Sequence, residues 1–498
     1  MSAANVPPFD PKAVMRTREY GRLLVLAGAV GLVTALAAWC FLTLVPWIQT
    51  SVFEDLPVAI GFAEPPRWWP IPVLAAAGLI TAWAIVRLPG AGGSVPAEGL
   101  GSGPPTRPID LPGILLAGLA TLGLGLVLGP SAPVIAIGAG FGLFVLNQVK
   151  KDAPQVVHTV IAVAGSCASF SMVFRSALIS TVIILEGTAV GGPMLTFLLL
   201  PGLLAAGVGS VVYLGLGSLT GLSVDAYAVY PLELSPMGNL TLVQIGWTVA
   251  LALITAAVGW AVTEGGRRVH RVAVARPFIV TPLAGVVVAV LAILFGLTGQ
   301  AVDAVLFSGS SALVPLVDQA ATLSLGTMAL LLLLKGIAWS ISMGSFRGGA
   351  VFPAIFMGTV GGFLASHLPG LPAGAGVAVV MAASVTAILR LPLSSVVIAA
   401  GLTANTGPAA LTLVVISVVV AHVAVNRVLD RRGSSQDRGK SAPVEEPPAG
   451  PPPGTPAHEP APPGPRPPTQ APGISRPYHK TRRHEPGTRR PGGTSGEC

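Results

Sequence analysis

Gly129-Pro130-Ser131-Ala132-Pro133-Val134-Ile135-Ala136-Ile137-Gly138 lies inside an uncharged run that extends from Leu111 to Val149. The run is too long for one membrane span, and Gly-Pro-Ser-Ala-Pro interrupts it. A break at bilayer depth leaves backbone N–H and C=O groups without helical partners. Such groups are tolerated only where protein or a water-filled cavity surrounds them. A helix that restarts after the break aims free N–H groups and a positive dipole end at whatever precedes it. A stretch of this kind holds an anion without a Lys or Arg.

The pattern occurs twice. Gly349-Ala350-Val351-Phe352-Pro353-Ala354-Ile355-Phe356-Met357-Gly358 shares the form G-x3-P-x4-G with the first stretch. Farther along, Arg175-Ser176-Ala177-Leu178-Ile179-Ser180 and Arg390-Leu391-Pro392-Leu393-Ser394-Ser395 both read R-x-x-L-x-S. The offsets are roughly 220 and 215 residues, and corresponding interrupted segments in two halves point to a transporter or channel binding site.

Composition agrees. Of 498 residues, 52% are hydrophobic and 10% charged, where a soluble protein carries about 25% charged residues. We therefore expect an all-α polytopic membrane protein. The net charge of +8 does not indicate nucleic acid. From Arg431 onward there are 11 Lys/Arg against 6 Asp/Glu, so most of the excess lies in the tail. Cys40, Cys167 and Cys498 give neither a disulfide framework nor a C-x-x-C pair, and the first two read as small buried hydrophobes. His158, His270, His367 and His422 have no ligand spacing, so no metal or other cofactor is expected. Ser131 lacks the second glycine of a G-x-S-x-G elbow, and the chain does not read as an enzyme.

Basic residues flank the spans on the cytoplasmic side. Lys12, Arg16, Arg18 and Arg22 place segment 1–22 there, ahead of a first span at Leu23–Val45. A transmembrane domain over 23–427 follows, with halves at roughly 71–265 and 278–427. Its apolar pieces include Ile71–Val86, Leu111–Leu128, Val134–Val149, the short Leu178–Glu186, Leu242–Val262 and Ala409–Val425. About seven pieces separate the breaks, and an odd number inverts the second half. Glu264–Arg276 reads as a basic cytoplasmic loop. Arg427, Arg431 and Arg432 return the C-terminus to the cytoplasm, and 428–498 reads as a disordered, Pro-rich basic tail.

These motifs resemble the chloride channel (CLC) family of anion channels and proton-coupled antiporters. Gly92-Gly93-Ser94-Val95-Pro96 is similar to the family's GSGIP. Gly129–Pro133 is similar to GREGP, and Gly348–Pro353 to GGIFAP. Phe174–Glu186 and Leu389–Gly401 resemble the paired P-L-x-G helices. The resemblance implies inverted halves of tilted and broken helices and a homodimer in the lipid bilayer with one pore per subunit. It also implies small anions held by helix N-termini. By position, the anion contacts fall near Gly93 and Ser94, at Ser131 and Ala132, and at the N–H groups of Ala350 and Val351.

The departures from the family carry mechanism. Its gating glutamate stands at Ser131, which neither competes with an anion nor titrates near neutral pH. The internal proton glutamate falls on Gly187, one residue past Glu186. The pore tyrosine has no counterpart, since no Tyr lies between Tyr230 and Tyr478. Pro130 replaces the arginine before the gate and has no N–H. Passive flux of chloride or similar anions across the plasma membrane, without proton coupling, is the resulting expectation. Transport of another solute and a non-conducting scaffold are the alternatives. Arg347, Phe352 and Glu186 are further candidates for the pore or vestibule. Glu186 is expected to pair with a nearby cation, and Lys335, Arg175 and Arg390 are charges in or beside apolar segments.

Overall fold

Local signals start several helices. Thr241 and Gln244 form a reciprocal capping box at the head of α10 (Leu242–Ala275). Ser176 accepts from Ile179 N at the head of α8 (Ala177–Gly187), and Ser324 from Thr327 N at the head of α13 (Leu325–Ser345). Each cap satisfies an N–H that the first helical turn leaves open.

The computed structural model describes residues 11–100, 106–220, 231–320 and 322–437, with side chains as far as Arg427. The remaining helices are α1 (Pro11–Val14), α2 (Arg18–Thr50), α3 (Leu56–Ala59), α4 (Pro70–Arg87), α5 (Leu111–Gly123), α6 (Ser131–Val149), α7 (Gln155–Phe174) and α9 (Gly192–Thr220). In the second half come α11 (Pro277–Gly296), α12 (Leu313–Gln319), α14 (Val351–Ala365), α15 (Ala373–Leu389), α16 (Pro392–Leu402) and α17 (Pro408–Asp437). Nine helical stretches among the described residues are long and apolar enough to cross a membrane.

Several boundaries differ from the sequence expectation. Helix α5 stops at Gly123, so 124–130 forms a non-helical approach to the break in place of an apolar piece reaching Leu128. The basic stretch from Glu264 is no loop: α10 carries it to Ala275. There Glu264 reaches Arg268 and Arg271, one turn or two along the same helix. Helix α17 continues to Asp437, taking in the first ten residues of the expected tail. Residues 1–10, and the Pro-rich basic tail from 438 onward with Cys498, lie outside the described residues. Cys167 is buried, whereas Cys40 is exposed on α2.

The packing repeats. Helix α6 lies on α7 as α14 lies on α15, and α4 meets α5 as α11 meets α13. Likewise α2 contacts α7 and α9 as α10 contacts α15 and α17. Equivalent elements also meet each other, α4 against α11 and α8 against α16, as a local two-fold relation requires. The repeating sets begin at α2 and at α10, so the division falls between Thr220 and Leu242, ahead of the 265–278 break read from sequence. The closing glycine of each motif serves the same contact: a Cβ at Gly138 would run into the Gly165 backbone, and one at Gly358 into that of Met381.

Burial is deepest around the breaks. Every residue of α15 from Gly374 to Leu389 is buried, as expected of a helix that is apolar on all sides. The outer helices α9, α10, α11 and α17 instead expose Leu204, Leu253, Leu283 and Val419, the side chains that suit a hydrocarbon solvent.

Candidate functional site

The two interrupted stretches meet. Gly129 N donates to Gly349 O at 2.8 Å, and Gly349 N donates to Gly129 O at 2.6 Å, an antiparallel bridge. Antiparallel pairing of equivalent residues places the local two-fold between them. The contact needs glycine, because a Cβ at Gly349 would overlap Ser131 Oγ, and one at Gly129 would lie 2.8 Å from Phe352 Cδ2.

Helices α6 and α14 start immediately after this bridge. Their first backbone bonds are equivalent: Val134 N to Pro130 O at 3.0 Å and Ala354 N to Ala350 O at 3.2 Å. The N–H groups before them are beyond the reach of helical pairing. Pro133 and Pro353 have none, so Ser131 and Ala132 offer theirs on one side, and Ala350 and Val351 on the other. Both dipoles add positive potential at this point. No carboxylate among the described residues hydrogen-bonds to either break.

Ser131 is fully buried, and its hydroxyl has no hydrogen-bond partner. It is therefore a donor facing the paired helix starts. Ala132 is half-buried, while Ala350 and Val351 are buried. Phe352 is fully buried and stacks on Phe174, with centroids 5.9 Å apart. Phe174 meets Phe170 edge-on.

Other expected residues take different positions. Gly93 is half-buried and Ser94 is exposed, and no hydrogen bond joins Ser94 to Ser131 among the described residues. Their loop turns through positive φ at Gly90 (77°), Ala91 (47°), Gly92 (73°) and Gly93 (99°), a run that glycine makes accessible. That curl turns Ala91 O to Arg347 Nε, at 3.1 Å. Among the described residues no cation pairs with Glu186. Its carboxylate accepts from Leu393 N (2.9 Å), Ser394 N (2.6 Å) and Ser394 Oγ (2.5 Å), so it caps α16.

Lys335 is wholly buried, donating to the carbonyls of Ala304 and Leu306 at 2.8 Å, Val305 at 3.2 Å and Phe307 at 3.3 Å. Its ammonium lies 4.7 Å from the Phe356 ring centroid. Arg175 lies over the Tyr213 ring at 4.6 Å. Arg175 and Arg390 close α7 and α15 in left-handed conformations, φ 52° and 58°. Among the described residues no group of three His, Cys, Asp or Glu is placed to hold a metal.

Residues 77–426 match the family described as Voltage gated chloride channel, and this is more than half of the chain. The chain belongs to that family.

The YfeO proteins of Escherichia fergusonii and Escherichia coli O127:H6 are 26% and 27% identical to this voltage gated chloride channel family member over 398 residues, covering 78% of this chain and 90% of theirs. A structure described as a slow cyanobacterial Cl−/H+ antiporter matches with TM-score 0.63 at 20% identity, over 84% of this chain and 99% of that one. A CLC-type fluoride/proton antiporter matches with TM-score 0.61 at 20% identity, over 80% and 95% of the two chains. At these identities the structural matches establish the fold. The chain is a multi-pass membrane protein with the CLC arrangement of inverted, broken helices.

Two positioning residues have no motif that sequence reading singled out. Ser169 Oγ donates to Val134 O at 2.9 Å, and Ser384 Oγ donates to Ala354 O at 2.8 Å. They pin the first turns of α6 and α14 in the same way. The signal was present: each serine stands six residues before the arginine of R-x-x-L-x-S. Thr121 is a third such residue, accepting from Arg347 N at 3.4 Å.

Proposed function

We propose that this protein conducts chloride or similar small anions passively across the plasma membrane, without proton exchange. The observation that carries this reading is Ser131. At the family's gate position it presents a buried neutral hydroxyl, with no carboxylate, to the starts of α6 and α14. A hydroxyl donates one hydrogen bond to a halide and has no proton to exchange near neutral pH. The surrounding N–H groups hold an anion weakly enough for it to leave, which is what conduction requires. The YfeO relatives carry ion transport in their names. The two antiporters of similar fold named above are proton-coupled, so the reading of an uncoupled mechanism rests on this chain's own residues.

The functional unit is a homodimer in the bilayer with both termini cytoplasmic. Arg16, Arg18 and Arg22 at one end and Arg427, Arg431 and Arg432 at the other support that orientation.

Purified protein in liposomes tests the reading. Dissipation of a chloride gradient with no proton movement against a pH gradient is expected. Chloride-driven proton uptake overturns the absence of coupling, and no flux of any anion leaves the non-conducting scaffold.

A further inference from the structure

Helix α10 is longer than the hydrocarbon it crosses. Its 34 residues extend about 50 Å, against about 30 Å of bilayer core. Leu242–Thr263 carries no charge, and charge-free sequence resumes with α11 at Pro277. The stretch 264–276 between these two spans therefore lies at the membrane surface. It holds Arg267, Arg268, Arg271 and Arg276 against one carboxylate, Glu264.

Helices α10, α15 and α17 run side by side in one direction. Trp247 Nε1 donates to Pro369 O at 3.1 Å, ahead of α15, and Gly259 packs on Ala387 near its end. Gly374 packs on Thr406, and Ser417 Oγ donates to Val379 O at 2.8 Å. The end of α10 thus comes to the same face as Arg390 and Arg427, the face that the orientation above makes cytoplasmic.

The arginines of this stretch are held unequally. Arg267 donates from Nε to Ala97 O at 3.2 Å. Arg268 and Arg271 share Glu264, at 3.4 and 3.9 Å, yet their side chains are 62% and 71% exposed. Arg276 is exposed, and no ion pair among the described residues includes it. One carboxylate serves two guanidiniums, so the surface keeps an excess of positive charge. Apolar side chains stand exposed among them: Val272 one turn after Arg268, Val274 three residues after Arg271, and Phe278 and Ile279 just past Arg276. Water disfavours that mixture. At a bilayer surface the valines reach acyl chains while the guanidiniums meet phosphates.

We propose that the end of α10 and the start of α11 bind the headgroups of anionic phospholipids. Clustered arginines directly beside a span attract such lipids by charge. A soluble phosphate would meet the arginines but leave Val272, Val274, Phe278 and Ile279 in water, whereas a phospholipid covers both kinds of side chain. The same end of α10 packs on the approach to the second break. His270 Nδ1 pairs with Gly344 O at 3.0 Å, and a Cβ at Gly344 would run into Gly266 O. Bound lipid steadies this contact between α10 and α13.

Native mass spectrometry of the full chain in detergent tests the proposal, with dioleoyl phosphatidylglycerol and dioleoyl phosphatidylcholine offered in equal amounts. The wild type is expected to retain the anionic lipid about fivefold over the neutral one at low salt, the scale of one arginine at a charged surface. The preference falls as salt rises. R268Q/R271Q/R276Q loses most of it, and R16Q/R18Q/R22Q, at the other basic end of the membrane domain, leaves it nearly unchanged. E264Q releases the arginines it holds and raises the preference about two- to fivefold. Thermal midpoints certify folding. Equal retention of the two lipids by the wild type overturns the proposal whether or not any variant folds. So does a preference that R268Q/R271Q/R276Q leaves unchanged, an equal fall in R16Q/R18Q/R22Q, or displacement of the lipid by inorganic phosphate at constant ionic strength. If R268Q/R271Q/R276Q does not fold, E264Q decides: a raised preference supports the site and an unchanged one overturns it.

Discussion

Gly129 and Gly349 donate to each other's carbonyls, at 2.8 and 2.6 Å, although roughly 220 residues separate them. The bridge joins the two halves at the point where α6 and α14 begin. It therefore sets both the distance between the helix starts and the space left for Ser131.

Gly349→Ala is expected to destabilise the protein by about 2–4 kcal/mol, the cost of forcing a methyl group into a packed contact with backbone behind it. The new Cβ would overlap Ser131 Oγ and lie 2.7 Å from Ser131 Cβ. Adding Ser131→Gly removes both atoms and recovers part of the loss. Thermal unfolding of the two single variants and the double variant measures this coupling. Additive losses would mean that Gly349 is needed for the bridge alone.

Ser131→Glu restores a carboxylate at the meeting point of two positive helix ends. Anion flux at pH 7 is expected to fall at least about tenfold as the carboxylate occupies the site. Flux recovers in acid as the side chain is neutralised. A pH series of chloride efflux from liposomes tests this, and an unchanged rate would remove Ser131 from the path.

Glu186→Gln keeps the shape of the α16 cap and removes its charge. Leu393 N, Ser394 N and Ser394 Oγ all donate to this carboxylate. A loss of about 1–2 kcal/mol is expected from weaker hydrogen bonds and lost charge–dipole interaction. The measurement is the thermal midpoint. Anion flux by the surviving folded protein should change little, since no hydrogen bond links Glu186 to either break among the described residues.

Lys335→Met preserves much of the side-chain volume but leaves the carbonyls of residues 304–307 without their donor. Phe307 N in turn donates to Gly125 O at 3.0 Å, on the approach to the first break. A cost of about 3 kcal/mol or more is expected, because buried acceptors lose a charged partner. Hydrogen exchange at residues 302–312 and 124–130 should accelerate together. Exchange confined to the first segment would show that the link through Phe307 is not cooperative.

The membrane character, the two helix breaks and their symmetry were legible in the sequence, because each depends on local properties. Uncharged runs, Gly and Pro at bilayer depth and a repeated spacing mark them without knowledge of contacts. Element ends were less legible. Composition alone does not show that α10 carries the stretch from Glu264 to Ala275 as helix, since a charged helical extension has the polarity of a loop. Glu186 was misread for a similar reason: its partner is a backbone N-terminus more than 200 residues away, and backbone leaves no residue type to read.

By itself, the sequence determined that Gly129–Gly138 and Gly349–Gly358 are equivalent breaks in apolar segments, and that the first bears a serine and no glutamate. Only the tertiary structure decided that the breaks bridge directly, that the Ser131 hydroxyl is buried without a partner, and that four carbonyls surround the Lys335 ammonium. The physical reason is that periodicity and residue type govern whether a backbone becomes helical, whereas a polar group's satisfaction depends on which distant carbonyl or N–H the fold brings within 3 Å.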